Sequence, residues 1–107
     1  MNCAENELEA AKLSGKIFAK KYREYFRSAI TRDFKFELSA EEFMRFWHQP
    51  CSYCGSEILT IGLDRIDNKQ GYHFYNCVPC CGTCNRMKLM LSSERFIAQC
   101  RKITEYL

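Results

Sequence analysis

Two C-x2-C pairs constrain this chain more than anything else in it. Cys51-Ser-Tyr-Cys54 is followed, after 26 intervening residues, by Cys81-Gly-Thr-Cys84. Such a pair turns two thiolates toward one ion, and two pairs close a tetrahedral four-cysteine zinc site. The site supplies folding free energy that a 107-residue chain needs, because a domain near this size buries only about two-thirds of its unfolded surface. Eight cysteines at this length could instead staple a secreted scaffold through disulfides. The acidic amino-terminal run MNCAENELEA has no signal-peptide pattern, which favours metal in a reducing compartment. A third pair, Cys77-Val-Pro-Cys80, competes for the four positions. The pairs 51/54 and 81/84 are preferred because a turn-permissive residue, Gly55 or Asn85, follows each. Cys77 falls in a strand pattern that points it to the core, Cys80 is the least settled, and Cys3 and Cys100 are expected to be free thiols.

The rest of the chain has the pattern of one soluble α+β domain, residues 1–107. No apolar run approaches the ~20 residues a membrane helix needs, so no membrane association and a cytoplasmic location are expected. Residues 5–31 form a long predicted helix whose Leu8, Ala11, Phe18, Tyr22, Tyr25, Phe26 and Ala29 share one face. Lys12, Lys16, Lys20, Arg23 and Arg27 fall within an arc of roughly 80° on a neighbouring face. Residues 12–35 carry eight cations against Glu24 and Asp33, a net charge of +6, while residues 1–11 carry −3 from Glu5, Glu7 and Glu9. A rail of this kind suits a phosphate backbone, where each neutralised phosphate releases counterions; a solvated surface would carry the same pattern. Residues 39–48 form a second predicted helix, with Ser39 and Glu42 as a capping box and Phe43, Phe46 and Trp47 as its buried stripe. EILTIGL at 57–63 and YHFYNCV at 72–78 are predicted strands joined by the turn DNKQG, where Gly71 can take φ > 0. A short helix over 82–90 follows. The last helix starts at Ser92 or Ser93 and is expected to bury Phe96, Ile97, Cys100 and Ile103.

Zinc would clamp residue 51, before the hairpin, to residue 84, after it. Asp64 and Arg65 then end the first strand, Asn76 lies near the middle of the second, and Asn85 opens the helix after the last thiolate. A carboxylate with a carboxamide oxygen suits a hard cation such as Mg2+ or Mn2+, which keeps waters and takes phosphate oxygens.

The combination resembles the HNH (ββα-metal) endonuclease superfamily, in particular its zinc-bound, phage-type members. The pieces are Cys51 to Gly55, LDRID at 63–67, Gly71-Tyr72, Asn76, Cys81 to Lys88, and Leu91-Ser92 with Phe96. They cover residues 39–103, leaving residues 1–38 as a basic helical extension. The resemblance implies a ββα-metal core with a β-hairpin and flanking helices, a bacterial or phage-infected cell, and hydrolysis of DNA phosphodiester bonds. By position it makes Asp64 and Asn85 ligands of a catalytic divalent ion. Asn76 becomes the brace of the hairpin, Lys88 a phosphate contact, and Cys51, Cys54, Cys81 and Cys84 the structural zinc site.

The chain departs from the family at Arg65, where the usual residue is His. Arginine stays protonated and is a poor general base, but it grips phosphate bidentately. His73, Tyr72 and Tyr75 are the local candidates for the base, with His73 counted as catalytic; metal-activated water without a protein base is equally admissible. Asp67 is preferred as a turn residue over a second ligand. The alternative to a nuclease is a catalytically inactive, zinc-clamped module that binds DNA or regulates another nuclease. One active site nicks one strand, so double-strand cutting would need a homodimer or two events.

Overall fold

The computed structural model describes the backbone from residue 3 onward and the side chains from residue 15. Cys3, Leu8, Ala11 and Lys12 lie outside the described side chains. The elements run α1 (Cys3–Thr31), α2 (Ala40–Met44), β1 (Leu63–Arg65), a 3-10 turn (Phe74–Asn76), β2 (Cys77–Pro79), α3 (Gly82–Lys88) and α4 (Ser93–Tyr106). Ser39 caps α2 with the full capping box, its hydroxyl accepting from the Glu42 N–H while the Glu42 carboxylate accepts from the Ser39 N–H. The helix regularises only to Met44, shorter than the predicted 39–48, and single turns carry the chain on to His48.

The hairpin is smaller and its loop longer than the sequence suggests. β1 and β2 are three residues each and pair antiparallel as Leu63↔Pro79, Asp64↔Val78 and Arg65↔Cys77. The β-branched stretch 57–62 has strand propensity, but a strand also needs a partner for its backbone groups. Its expected partner is committed elsewhere. Tyr72 bridges in parallel to Phe36, and residues 74–76 wind into the 3-10 turn. Gly71 serves close approach rather than a left-handed turn: a Cβ there would lie 2.3 Å from the Lys35 carbonyl oxygen. Gly62 is constrained the same way, with a Cβ falling 2.0 Å from the Cys80 carbonyl oxygen.

Two apolar clusters divide the interior. The larger joins Ala29, Leu38, Phe43, Phe46, Ile61, Leu63, Tyr72 and Cys77, with Phe18, Tyr22 and Tyr25 of α1 packed against it. Phe43 is fully buried, and its ring meets those of Phe18, Tyr22 and Tyr25 edge-on at 5.5, 5.1 and 5.6 Å. Residues on both sides of position 38 thus share one core. The smaller cluster gathers Cys51, Cys80, Cys84 and Phe96, flanked by Tyr53, Ile58, Cys81, Leu91 and Cys100. Helix α4 buries less than its pattern implies. Phe96 is inside, whereas Ile97 and Ile103 are 39% and 51% exposed. Phe26 of α1 is likewise 44% exposed.

Phe43→Ala removes the ring that meets three aromatic side chains of α1 and should cost about 3–5 kcal/mol. Chemical denaturation of the variant against the parent measures it; a loss under about 1 kcal/mol would mean that α1 does not share this core.

Candidate functional site

The four sulfurs of Cys51, Cys54, Cys81 and Cys84 lie within 4.8 Å of one another, and those of Cys54 and Cys81 are 3.7 Å apart. A tetrahedral zinc with Zn–S bonds near ~2.3 Å requires sulfurs about 3.8 Å apart, so the cluster fits one ion with small adjustments. Local folding explains the convergence. Gly55, at φ 76°, turns the first knuckle, and the Gly55 N–H donates to the Cys51 carbonyl at 2.9 Å. In the second, Cys81 caps α3 and its sulfur accepts from the Cys84 N–H at 3.4 Å.

Electrostatics treats the cluster sulfurs unequally, holding Cys51 down and pushing Cys84 up. Burial pushes the Cys51 thiol upward, but N–H groups of Cys81, Cys54 and Tyr53 outweigh it and hold it down at about 6. Burial, then crowding by the thiols of Cys54, Cys81 and Cys51, pushes Cys84 up. Four such sulfurs cannot all be anionic without a cation between them. Burial, followed by the Asp64 carboxylate, pushes Cys77 and Cys80 up to about 12, where they stay protonated. Cys77 sits in the larger core and Cys80 beside the sulfur cluster. The geometry therefore selects 51/54 with 81/84.

A cleft of about 480 Å3 opens next to this centre, lined by Asp64, Arg65, Asn85, Leu89 and Met90 on one side and by Lys21, Glu24 and Ser28 of α1 with Arg32 just past its end on the other. Asp64 is 6% exposed. Its Oδ2 accepts from the Tyr53 hydroxyl at 2.7 Å, and the Lys88 ammonium donates at 3.2 Å to Oδ1 and lies 3.1 Å from Oδ2. Tyr53 belongs to the first knuckle, so the sulfur centre and the carboxylate are joined by one side chain. Asn85 is exposed in the middle of α3, directly after Cys84.

Several sequence-based placements change. Lys88 is 1% exposed, and it also donates to the Arg65 carbonyl at 3.1 Å. Buried and held by Asp64 and the Arg65 carbonyl, Lys88 braces Asp64 instead of reaching outward to a phosphate. Arg65 is also buried, donating to the carbonyls of Asn68 at 2.8 Å and Gln70 at 2.7 Å. Its guanidinium carbon lies 3.6 Å from the centroid of the Phe34 ring, a cation–π contact that fixes the loop. His73 is outside the cleft: it lines a separate depression with Asp33 and Lys69, and its Nε2 pairs with the Gln70 side chain at 2.9 Å. Tyr75 is 86% exposed and Tyr72 is buried.

Asn76 is 4% exposed and ties the loop shut. Its Oδ1 accepts from the Asp67 N–H at 2.9 Å, and its Nδ2 donates to the carbonyls of Asp67 and Gly71 at 3.1 and 2.9 Å. Asp67 caps the same loop through the Lys69 N–H and the Gln70 amide. Lys16, Lys20, Arg23 and Arg27 are exposed, but they lie on a face of α1 about 120° from the cleft-lining residues on an ideal wheel.

Arg32 was not singled out by its motif context, yet it is the exposed arginine of the cleft. It donates to the Tyr72 hydroxyl and lies over the rings of Phe34 and Tyr72 at 5.4 and 5.8 Å. Glu24 was also missed; it is half-exposed and paired with Lys21 at 3.7 Å. Their spacing with Lys21 and Ser28 marks one helix face, but only the fold shows that this face borders Asp64.

No protein-family model matches the chain. It is 38% identical over 92 residues to the uncharacterized protein R423 of Acanthamoeba polyphaga mimivirus, a match spanning 84% of this chain and 17% of that protein. A solved structure, the rare-cutting HNH restriction endonuclease PacI, superposes with a TM-score of 0.67 at 19% identity, covering 83% of this chain and 78% of that one. The fold is therefore of HNH type: an α+β chain with a two-stranded antiparallel hairpin and a four-cysteine cluster positioned for a metal, consistent with zinc. Among the described residues no helix is long and apolar enough to cross a membrane.

Metal analysis of purified protein should give one zinc per chain, lost in Cys51→Ser and retained in Cys77→Ser; equal loss in both would reassign the ligands. Lys88→Met leaves the buried Asp64 carboxylate without its ammonium and should cost about 3–5 kcal/mol. Adding Asp64→Asn should recover part of that loss in urea denaturation, since the unpaired charge is gone; independent, additive losses would show that the pair is not coupled.

Proposed function

We propose that the chain is a metal-dependent endonuclease that hydrolyses DNA phosphodiester bonds. The observation carrying this reading is that Asp64 and Asn85 open into one cleft whose opposite wall is basic α1, within an HNH-type fold. Asp64 and Asn85 would hold a Mg2+ or Mn2+ ion. Their oxygen donors suit an ion that retains waters, and the Asp64 oxygens each keep lone-pair capacity after their bonds to Tyr53 and Lys88. When bound, such an ion polarises the scissile phosphate and stabilises the leaving oxygen.

The chain's own groups do the rest. Lys88 and Tyr53 orient Asp64, and Lys88 offsets its charge without leaving the interior. Arg65 acts one step back, stacking on Phe34 and pinning the 66–71 loop. Arg32, with Lys21 beside it, grips the phosphate, the role the sequence had offered to Arg65 and Lys88. Glu24 is the exposed carboxylate of the cleft and takes the proton from the attacking water, filling the place left by the absent histidine. Lys16, Lys20, Arg23 and Arg27 form a second, more distant track for the DNA backbone.

Incubation of supercoiled plasmid with Mg2+ or Mn2+ tests this. Wild type should nick, Asn85→Ala and Asp64→Asn should not, and Glu24→Gln should slow nicking by about 10²–10⁴-fold and remove the acidic limb of the pH–rate profile. Salt-dependent binding without nicking by wild type would make the chain a DNA-binding module.

A further inference from the structure

Leu89 and Met90 are 73% and 68% exposed, successive apolar side chains on the lip of the cleft that holds Asp64, Asn85 and Arg32. Their backbone is not slack. Leu89 adopts φ 48° and ψ −117°, a left-handed conformation disfavoured for a residue with a Cβ. Three hydrogen bonds keep it there. The Leu89 N–H donates to the Asn85 carbonyl at 3.1 Å, the Leu91 N–H donates to the Lys88 carbonyl at 3.0 Å, and the Asn68 side-chain amide donates to the Met90 carbonyl. The chain thus spends backbone strain to hold two apolar side chains out in solvent, where they contribute nothing to either core cluster.

Charge around the pair selects its partner. Arg32 and Lys21 face it across the cleft, with Glu24 between them on the same wall. A rigid apolar tip with Arg32 and Lys21 facing it suits a polyanion with stacked apolar faces, and Leu and Met are among the side chains that proteins insert between base steps to unstack and kink a duplex. We infer that Leu89 and Met90 form a wedge that enters a base step of double-stranded DNA next to the bond lying in the cleft. This rests on the nuclease reading above. The wedge favours pyrimidine–purine steps, which unstack most easily, so it sets where the phosphate is presented as well as holding the DNA.

A closed circular plasmid relaxed by a metal-independent topoisomerase, with the protein present in Ca2+, reads the distortion without needing a known target site. Wild type should shift the topoisomer distribution in proportion to protein bound, and Leu89→Gly/Met90→Ser should lose the shift while keeping salt-dependent binding in a gel assay. Glycine relieves the positive φ, so the Leu89→Gly single variant should melt at or above the wild-type temperature even as it loses the shift, which a packing role would not allow. Wild-type binding with no topoisomer shift overturns the wedge and leaves the nuclease reading standing. No DNA binding at all overturns both. A change in oligomeric state for Leu89→Gly/Met90→Ser in sedimentation would assign the pair to contact between copies of this chain and also overturn the wedge.

Discussion

Convergence of the sulfurs of Cys51, Cys54, Cys81 and Cys84 on one point fixes nearly everything between them. The hairpin itself is only three pairs long, too little to be stable alone. Closing a loop of this length lowers the entropy of the unfolded chain, and the knuckles deliver more than closure. Each ends on a residue the cleft uses: Tyr53 lies inside the first and bonds Asp64, while Asn85 follows the last thiol of the second. The structural centre and the candidate active site are therefore one mechanical unit.

Around Asp64 the chain makes an unusual commitment. Burying a carboxylate and an ammonium is costly unless they find partners, and here Asp64 is held by Lys88 and Tyr53 while Lys88 also donates to the Arg65 carbonyl. The pair holds the carboxylate in one orientation at the mouth of a cleft. Arg65 extends the same logic to the loop above, with its charge stacked on Phe34 and its N–H groups closing residues 66–71. The cations that the LDRID and C-N-x2-K patterns suggest for phosphate are thus turned inward, and the outward-facing ones come from α1.

Helix α1 belongs to the core through Phe18, Tyr22, Tyr25 and Ala29 and to the cleft through Lys21, Glu24 and Ser28, with Arg32 following just past its end. A 3.6-residue repeat gives one helix several faces, and its periodicity identifies the apolar one without saying what lies beside it. For that reason the most visible cations, Lys16, Lys20, Arg23 and Arg27, are exposed away from the cleft, while Glu24 and Arg32 border it.

Cysteine spacing, the Ser39–Glu42 capping box, the helix order and the α+β class with an HNH-type core were legible in the sequence, because each is written in residues a few positions apart or in ligand chemistry with few solutions. The positions of the strands were not. The stretch 57–62 has the right residues, but strand formation depends on a partner, and Tyr72 pairs with Phe36 instead. Nor could spacing reveal that Lys88 and Arg65 are buried, that Gly71 is required by the Lys35 backbone 2.3 Å from where its Cβ would be, or that His73 faces another depression. Sequence determined which groups the chain owns and where metal would cross-link it. Tertiary structure alone decided which groups face solvent, since burial and direction depend on contacts between residues far apart in the chain.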